Sequence, residues 1–514
     1  MSREKIIEAL EKRPSGLSIS ELAEATGLHR NTVSKIIEEL EKSGEVKMKE
    51  VGKAKIYFLK TYEAIHTTLY GYRGVNISIG IGISDLSDGF NAAVSAAKQA
   101  AMQSSKGAMP TFSIVFVSSK YNSQIDKVVQ GINKILGTSW IGCTTDREIN
   151  SILGYSEGTI QVLCIDTPHL YFGVGVSENY RKDPFEEGKK ATMQAIENCP
   201  IDRSRFATTQ FMRGSKKSFT EIIKNPPYFI LTFIGGTYYE NKVIIPGMEG
   251  EFLDGIKEVV GSFIPIVGAS ASSKLEDMME FKGENYVFAN GRYYKYGAVV
   301  CFVVSELQFS FGFSHPYDLT NVYGVITKIS KDRKTIEEIN NKPAKEEYKR
   351  LVSSIKERFS LDAVLEKIFA KKYEDVLLFI KYPAIFVTTL HEGFPLALRP
   401  SLDNKTLISP QKVTENMSFV IGKYNKRKTV EATPNSIKED IKADRPVFAL
   451  LFSCAARGFL LHKTRTMDKF VKNLSSLLPS YIGIFANGEI GGRKEFKFMG
   501  FSDIYILCFD KMVV

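Results

Sequence analysis

The side chains that could hold a small molecule stand where apolar runs stop. "LLFSCAARG" ends one run at Cys454 and sets Arg457 just beyond it. "YIGIFANGEIGG" ends another with Asn487, Gly488 and Glu489. "SWIGCTTDREI" does the same with Cys143, Thr144, Thr145 and Glu148, and "IPIVGASASSK" with Ser270 and Ser272. A guanidinium grips a carboxylate through parallel N–H donors, so Arg457 is the natural anion partner. Glu489 or Glu148 could take an ammonium, and Thr144, Thr145, Ser270, Ser272 and Asn487 offer neutral hydrogen bonds. Small residues such as Gly488 let backbone N–H groups come close to a ligand. An Arg and a Glu in one pocket would suit a zwitterion such as an amino acid. Two blander arrangements stay open: Arg457 and Glu489 paired with each other, or both exposed.

Catalytic chemistry has less to work with. A reactive thiolate needs an activating base or a helix N-terminus. No His stands in an obvious pairing arrangement with Cys143 or Cys454, so both read as pocket-lining or core thiols. The six cysteines form no C-x-x-C and the six histidines no H-E-x-x-H, so neither a metal site nor a disulfide framework is expected. "GIGISDLSDG" (Gly80–Gly89) lacks the Lys-Ser/Thr of a phosphate loop. No cofactor is expected.

The elements that must position these residues repeat. After about residue 75 the chain alternates strand and helix patterns, which argues an α/β architecture. The strand "FSIVFVSS", a helix with Ile125, Val128, Val129, Ile132 and Ile135 on one face, "SWIGCTTDREI" and "GYSEGTIQVLCI" form one copy. "PYFILTFIGGT", "EGEFLDGIKEVVG", "IPIVGASASSK" and "YKYGAVVCFVV" form a second. "RPVFALLFSCAARG", "TMDKFVKNLSSLLP", "YIGIFANGEIGG" and "MGFSDIYILCF" form a third. In open α/β sheets, ligands favour the carboxyl ends of strands, where the candidate residues lie. Between the second and third copies lies a charged, mostly helical stretch and a further strand-rich piece, with a boundary near 315–325.

Residues 4–60 read differently. Ser18 and Glu21 form an S-x-x-E capping box. Val33, Ile36, Ile37 and Leu40 recur at helical spacing, with Gly27 and Gly44 as stops. Two alternating strands follow around Gly52. This order of helix, short helix, tight turn, longer helix and hairpin resembles bacterial- and archaeal-type winged-helix transcription regulators, through "ISELAEATGLHRNTVSKIIEELEKSGEV". The longer helix would sit in the major groove. Arg30 and Asn31 can read bases bidentately, while Thr32, Ser34 and Lys35 lie off the apolar stripe. Lys47, Lys49, Lys53 and Lys55 of the wing would meet phosphate. Residues 1–60 hold 12 Lys/Arg and 10 Asp/Glu, so a role in docking protein rather than DNA stays open.

The 514 residues carry a formal charge of +10, are 44% hydrophobic, and contain no apolar run near membrane-span length. A multidomain cytoplasmic protein without a membrane partner is expected. Beyond the winged helix, "IGCTTDREI…GYSEGTIQVLCI…LYFGVGVSE" resembles the N-terminal half of the FIST domain. "VITKI…INNKPAKEEYKRLV", "FPLALRP", "LLFSCAARG" and "GIFANGEIGG" resemble its C-terminal half. The resemblance covers roughly 75–512. It implies a sensory region that binds a small ligand, with amino acids the favoured candidates. The expected layout is a winged helix at 1–66 (α+β), a linker at 67–74, and FIST-like α/β units of mixed sheets at 75–315 and 320–514. The expected function is a ligand-responsive, homodimeric regulator of transcription that binds double-stranded DNA. Its rivals are an α/β enzyme docked through the winged helix and a signalling scaffold that leaves DNA alone.

Overall fold

The structure, a computed structural model, describes residues 2–12, 17–43, 45–51, 54–59, 75–202, 228–240, 243–245, 247–274, 277, 282–355, 374–388, 390–401, 405–441 and 444–512. Gly44, Gly52, Lys53 and the expected linker lie outside the described residues.

The N-terminal module comprises α1 (Ser2–Lys12), α2 (Ile19–Thr26), α3 (Arg30–Lys42), β1 (Val46–Val51) and β2 (Ala54–Leu59). The capping box closes both ways: the Glu21 N–H donates to Ser18 Oγ at 3.3 Å, and the Ser18 N–H donates to Glu21 Oε2 at 2.8 Å. Two otherwise orphaned donors at the start of α2 are thereby satisfied. Gly27, at φ +68°, turns the chain out of α2. Val33, Ile37 and Leu40 of α3 pack with Ile6, Leu10, Leu22 and Val46 in a core of their own. β1 and β2 pair antiparallel from Val46 opposite Leu59 to Val51 opposite Ala54.

Three strand–helix–strand units follow. The first runs β3 (Ser78–Ser84), α4 (Gly89–Ser105), β4 (Phe112–Ser118), α5 (Ile125–Leu136), β5 (Trp140–Thr145), the hairpin β6 (Arg147–Asn150) and β7 (Gly154–Ser156), and β8 (Ile160–Asp166). The second runs β9 (Leu170–Ser177), α6 (Pro184–Glu197), β10 (Tyr228–Ile234), a ribbon of β11 (Tyr238–Glu240) and β12 (Val243–Ile245), α7 (Glu249–Val260), β13 (Ile266–Ser270), the hairpin β14 (Val287–Ala289) and β15 (Arg292–Tyr294), and β16 (Ala298–Ser305).

The third unit opens with β17 (Leu307–Ser314) and is then interrupted. The insertion holds β18 (Tyr317–Ile329), β19 (Thr335–Ile339), β20 (Lys342–Pro343), α8 (Ala344–Ser353), α9 (Glu374–Lys381), β21 (Ala384–Val387), β22 (Gly393–Leu396), β23 (Arg399–Pro400), β24 (Leu407–Ile408) and β25 (Ser418–Tyr424). Its strands form a sheet separate from those of the three units. The unit resumes with α10 (Lys426–Ile441), β26 (Pro446–Cys454), α11 (Ala455–Lys463), α12 (Met467–Ser475), β27 (Tyr481–Ala486), the hairpin β28 (Glu489–Gly491) and β29 (Lys497–Met499), and β30 (Asp503–Met512). The chain leaves the third sheet after Ser314, where β17 ends. After residue 425 the chain returns, and β26 lies between β30 and β27 in the sheet that β17 opens.

Each unit pairs two strands in parallel: β4 with β5, β10 with β13, β26 with β27. Parallel neighbours need a crossover, and the helices between them supply it. β8, β16 and β30 run antiparallel on the other side of β4, β10 and β26. The hairpins are exchanged in a ring. β14–β15 of the second unit extends the first sheet at β5, β28–β29 of the third extends the second at β13, and β6–β7 of the first extends the third at β27. The three sheets share one core. Phe116, Phe233 and Phe452, at the same register position in β4, β10 and β26, meet edge to face with centroids 5.6, 6.3 and 6.0 Å apart. Beside them Ile114, Leu231 and Leu450 line an apolar void of about 20 Å³, which has no polar group to hold water or a ligand.

Candidate functional site at the exchanged hairpins

The register fixes which residues correspond. Val287 lies opposite Cys143, Glu489 opposite Ala269, and Glu148 opposite Ile484. Glu148, Val287 and Glu489 therefore occupy one position in three copies, as do Asp146, Asn285 and Asn487 two residues earlier.

In the first copy the acid is fully satisfied. Glu148 Oε1 accepts the Thr145 hydroxyl. Glu148 Oε2 accepts the Thr159 hydroxyl at 2.9 Å and the Thr159 N–H at 3.4 Å. Complete burial pushes its pKa up to about 7, opposed by the threonine donors and helped by nearby Asp146. In the second copy the acid is gone, replaced by Val287. In the third, Glu489 Oε2 accepts the Ser502 N–H at 3.1 Å and the Ser502 hydroxyl at 2.9 Å, as in the first copy. Its Oε1 is buried without a hydrogen-bond partner. The cause is one substitution between copies: Ala486 stands where Thr145 stands in the first. Burial, together with Asp503, holds the Glu489 carboxyl well above the usual carboxylate range.

Asn487 repeats the pattern. Asp146 forms a buried ion pair with Arg147. Asn285 donates Nδ2 to the Thr237 carbonyl at 2.6 Å and accepts the Ser273 hydroxyl at 2.8 Å. The Asn487 Nδ2 has no hydrogen-bond partner. The third copy thus presents an unmet donor and an unmet acceptor two residues apart. A buried polar group without a partner costs about 1–3 kcal/mol.

Cys454 closes this site. It ends β26 and precedes α11, its thiol lies against Glu489, and burial, with the Glu489 charge second, pushes the thiol up. Tyr317, Ile380, Ile385 and Tyr424 of the insertion pack with Cys454, Phe459 and Phe501. The site therefore lies where the insertion covers the third unit.

The other expected residues divide. Arg457 pairs with neither Glu489 nor solvent. It is 3% exposed, ion-paired with Asp503, donates to the Thr429 carbonyl and lies over the Phe470 ring at 4.7 Å. Ser453 and Thr433 also donate to Asp503. The guanidinium is held within its own unit, its Nη1 by the Asp503 charge and not by a closed hydrogen bond. Cys143 is wholly buried in the core, and burial raises its thiol. Thr144 bonds the Tyr286 backbone both ways at 2.9 Å and accepts the Ser272 N–H on its carbonyl at 2.9 Å. The Ser272 hydroxyl donates to the Ser273 carbonyl. The Ser270 hydroxyl donates to Glu249 at 2.8 Å, and the Ser270 N–H reaches the Gly488 carbonyl at 3.0 Å. Gly488 thus ties the third unit's loop to the second unit's strand end. Thr144, Ser270 and Ser272 knit units together, while Glu489 lies against Cys454 and Asn487 stands two residues before it.

Sequence reasoning missed Thr159, Ser502 and Asp503. The first two each stand immediately before the last strand of their unit, in "GTIQVLCI" and "FSDIYILCF". Superposing the copies on that strand would have paired them. No group of three or more His, Cys, Asp or Glu able to hold a metal converges among the described residues.

On the winged helix, Arg30, Asn31, Thr32 and Lys35 are exposed at the start of α3, and Ser34 is half-buried. Arg30 Nη2 donates to Ser20 Oγ at 2.7 Å, tying α3 to α2. His29 caps α3 by accepting the Asn31 N–H at 3.4 Å. Lys47 is half-buried in β1 and Lys55 is exposed on β2; the Lys49 side chain and all of Lys53 lie outside what is described. No helix among the described residues is long and apolar enough to cross a membrane.

These features define a multidomain protein with an N-terminal winged helix and a large mixed α/β body. Residues 2–47 match the winged helix-turn-helix DNA-binding family, and residues 111–342 match the FIST N domain. The chain thus carries a winged helix-turn-helix match ahead of a FIST N match. No curated protein matches it. Two solved structures, T. maritima PurL complexed with AMPPCP and PurLQS from Thermotoga maritima, are each 11% identical with a TM-score of 0.19. Both alignments cover 85% of this chain, and 73% and 74% of those chains respectively. At that TM-score the likeness carries no argument.

Proposed function

We propose that this chain is a ligand-responsive, DNA-binding regulator of transcription that acts in the cytoplasm as a homodimer. The ligand is a small polar molecule, with an amino acid the favoured class, and it sits at the third unit's exchanged hairpin. The observation that carries this reading is the unmet pair, Asn487 Nδ2 and Glu489 Oε1, at a position whose counterparts are satisfied or replaced. An unmet amide donor two residues from an unmet carboxyl oxygen suits a molecule offering both an acceptor and a donor. Because Arg457 is held by Asp503, a ligand carboxylate would meet Asn487 and backbone N–H groups, leaving Arg457 to set the shape of the wall. The exposed polar start of α3 supports the output half of the reading. A ligand can shift DNA binding only if it binds two arrangements of the protein with different affinity.

The test is fluorescence anisotropy of the full-length chain on DNA from upstream of its own coding sequence. It is run across a salt series, with and without a compound that raises the melting temperature. Specific, salt-sensitive binding that the compound changes supports the reading. Binding that is absent, or indifferent to DNA sequence, defeats it.

A further inference from the structure

Each of the three unit sheets has six strands and two edges. One edge is the outer strand of a visiting hairpin, β15, β29 or β7, three residues long. The other is the unit's opening strand, β3, β9 or β17, of seven or eight residues. A long open edge is a ready template for another strand, and proteins commonly blunt it. Register aligns the three long edges. Ile81 lies opposite Leu163, Val174 opposite Cys301 and Phe311 opposite Ile506. Those partners lie opposite Ile114, Leu231 and Leu450, each two residues before the phenylalanine that the units share. Ile81, Val174 and Phe311 are therefore one position, and Ile83, Val176 and Phe313 are another.

In the first two copies the covering helix closes this edge with side-chain amides. The Ile81 N–H donates to Gln103 Oε1 at 3.0 Å, and Gln103 Nε2 donates to the Ile81 carbonyl at 2.8 Å. The Ile83 N–H donates to Gln99 Oε1 at 3.2 Å. The Val176 N–H donates to Gln194 Oε1 at 2.8 Å, and Asn198 Nδ2 to the Val174 carbonyl at 2.8 Å. Backbone groups at both positions thus point away from the sheet. β17 carries no such clamp among the described residues. Its helix, α10, directs Thr433 to Ser314 and Asp503, and Ser436 and Asp440 to Arg493. β17, "LQFSFGFS", also has neither a charge nor a proline to blunt it, and Gln308, Ser310, Phe313 and Ser314 are half-buried.

We propose that β17 pairs antiparallel with β17 of a second copy of this chain. Pairing of identical antiparallel strands is isologous and closes at two copies. Centred on Phe311, it matches the outward groups of Phe309, Phe311 and Phe313 with those of the partner's Phe313, the partner's Phe311 and the partner's Phe309. Gln308 then faces the partner's Ser314 at a position without hydrogen bonds, where side chains come closest. An uncharged strand meets its own copy without repulsion and offers a charged partner nothing to pair with. The interface rests on the homodimer of the proposed regulator and gives it a location.

The test is sedimentation velocity of the full-length wild type and two double variants at low ionic strength. One is Gln308→Lys with Ser314→Lys, which sets lysine against lysine twice. The other is Gln308→Glu with Ser314→Lys, which sets glutamate against lysine twice. Both lose the Ser314 hydroxyl, so each controls for the fold of the other. The expected result is a dimeric wild type, a dimeric Glu/Lys variant, and a Lys/Lys variant whose self-association is weaker by about tenfold. A monomeric wild type overturns the proposal, as do two variants that behave alike. A dimeric wild type with indifferent variants leaves the homodimer standing and moves its interface elsewhere. DNA and ligand binding are decided by the anisotropy titration, so either reading can fail alone.

Discussion

Glu148 and Glu489 are the same residue in two copies of one structure, and a single hydroxyl separates their circumstances. Thr145→Ala would put Glu148 where Glu489 is, with one buried carboxyl oxygen unpaired. The expected cost is about 1–3 kcal/mol, read as a lower urea midpoint at an unchanged slope. Glu148 also sets a pH dependence. Its folded pKa, about 7, lies above the ordinary 4.5, so the folded protein binds more protons than the unfolded chain between those values. Its contribution is therefore fully present below about pH 4.5 and lost as pH rises to about 7. Stability should fall across that window by up to about 3 kcal/mol from this group. Glu148→Gln should flatten that part of the urea-stability profile, and an unchanged profile would contradict the assignment. The acids and their neighbours were legible in "TTDREI" and "ANGEI". Which of them lacks a partner was not, because the deciding donors are Thr159 and Ser502, 11 and 13 residues further on. Arg457 shows the same limit. Its chemistry suits an anion, but the anion it holds is Asp503, on a strand the sequence did not bring beside it.

The glycines of "GIGIS" belong to strand β3, where α4 packs directly on the backbone. A Cβ on Gly82 would lie 1.9 Å from the Ala96 carbonyl oxygen. The second unit repeats the device, with Gly175 of β9 under α6 and the Ala191 carbonyl oxygen 1.8 Å from a Cβ. Helix backbone cannot step aside as a flexible side chain can. Gly82→Ala and Gly175→Ala should each cost about 3 kcal/mol or prevent folding, measured by urea unfolding and soluble yield. The parallel core strands were readable because burial on both faces makes them near-continuous apolar runs. The exchanged hairpins were not. β14 and β28 are three residues long, too short to show a strand period, and nothing in the sequence marks them as strands of a neighbouring unit's sheet. The opening strands β3, β9 and β17 were all left out of the repeat, and the insertion sets β17 furthest from the rest of its unit.

At the scale of the whole molecule, the account joins a sensing position in the body to an output at the N-terminus. The output makes an electrostatic prediction. If Lys35 and Lys55 each meet one phosphate, Lys35→Ala and Lys55→Ala should each weaken DNA binding on any sequence. Each should lower the slope of log affinity against log salt by about 0.9. Arg30→Ala should instead reduce the preference for the cognate site, since bidentate base contacts carry about 1–3 kcal/mol of discrimination. Anisotropy titrations on cognate and scrambled DNA separate the two effects. The winged helix was the most legible part of the chain, because its cap, stripe and stops are local signals.

The central claim is that the third copy's acid holds a ligand and the first copy's does not. Thermal melting of the full-length wild type, Glu489→Gln and Glu148→Gln against a panel of amino acids and small carboxylates tests it most directly. The account predicts a compound that raises the melting temperature of the wild type and of Glu148→Gln but not of Glu489→Gln. A compound that shifts all three equally, or whose effect is lost only in Glu148→Gln, would contradict it.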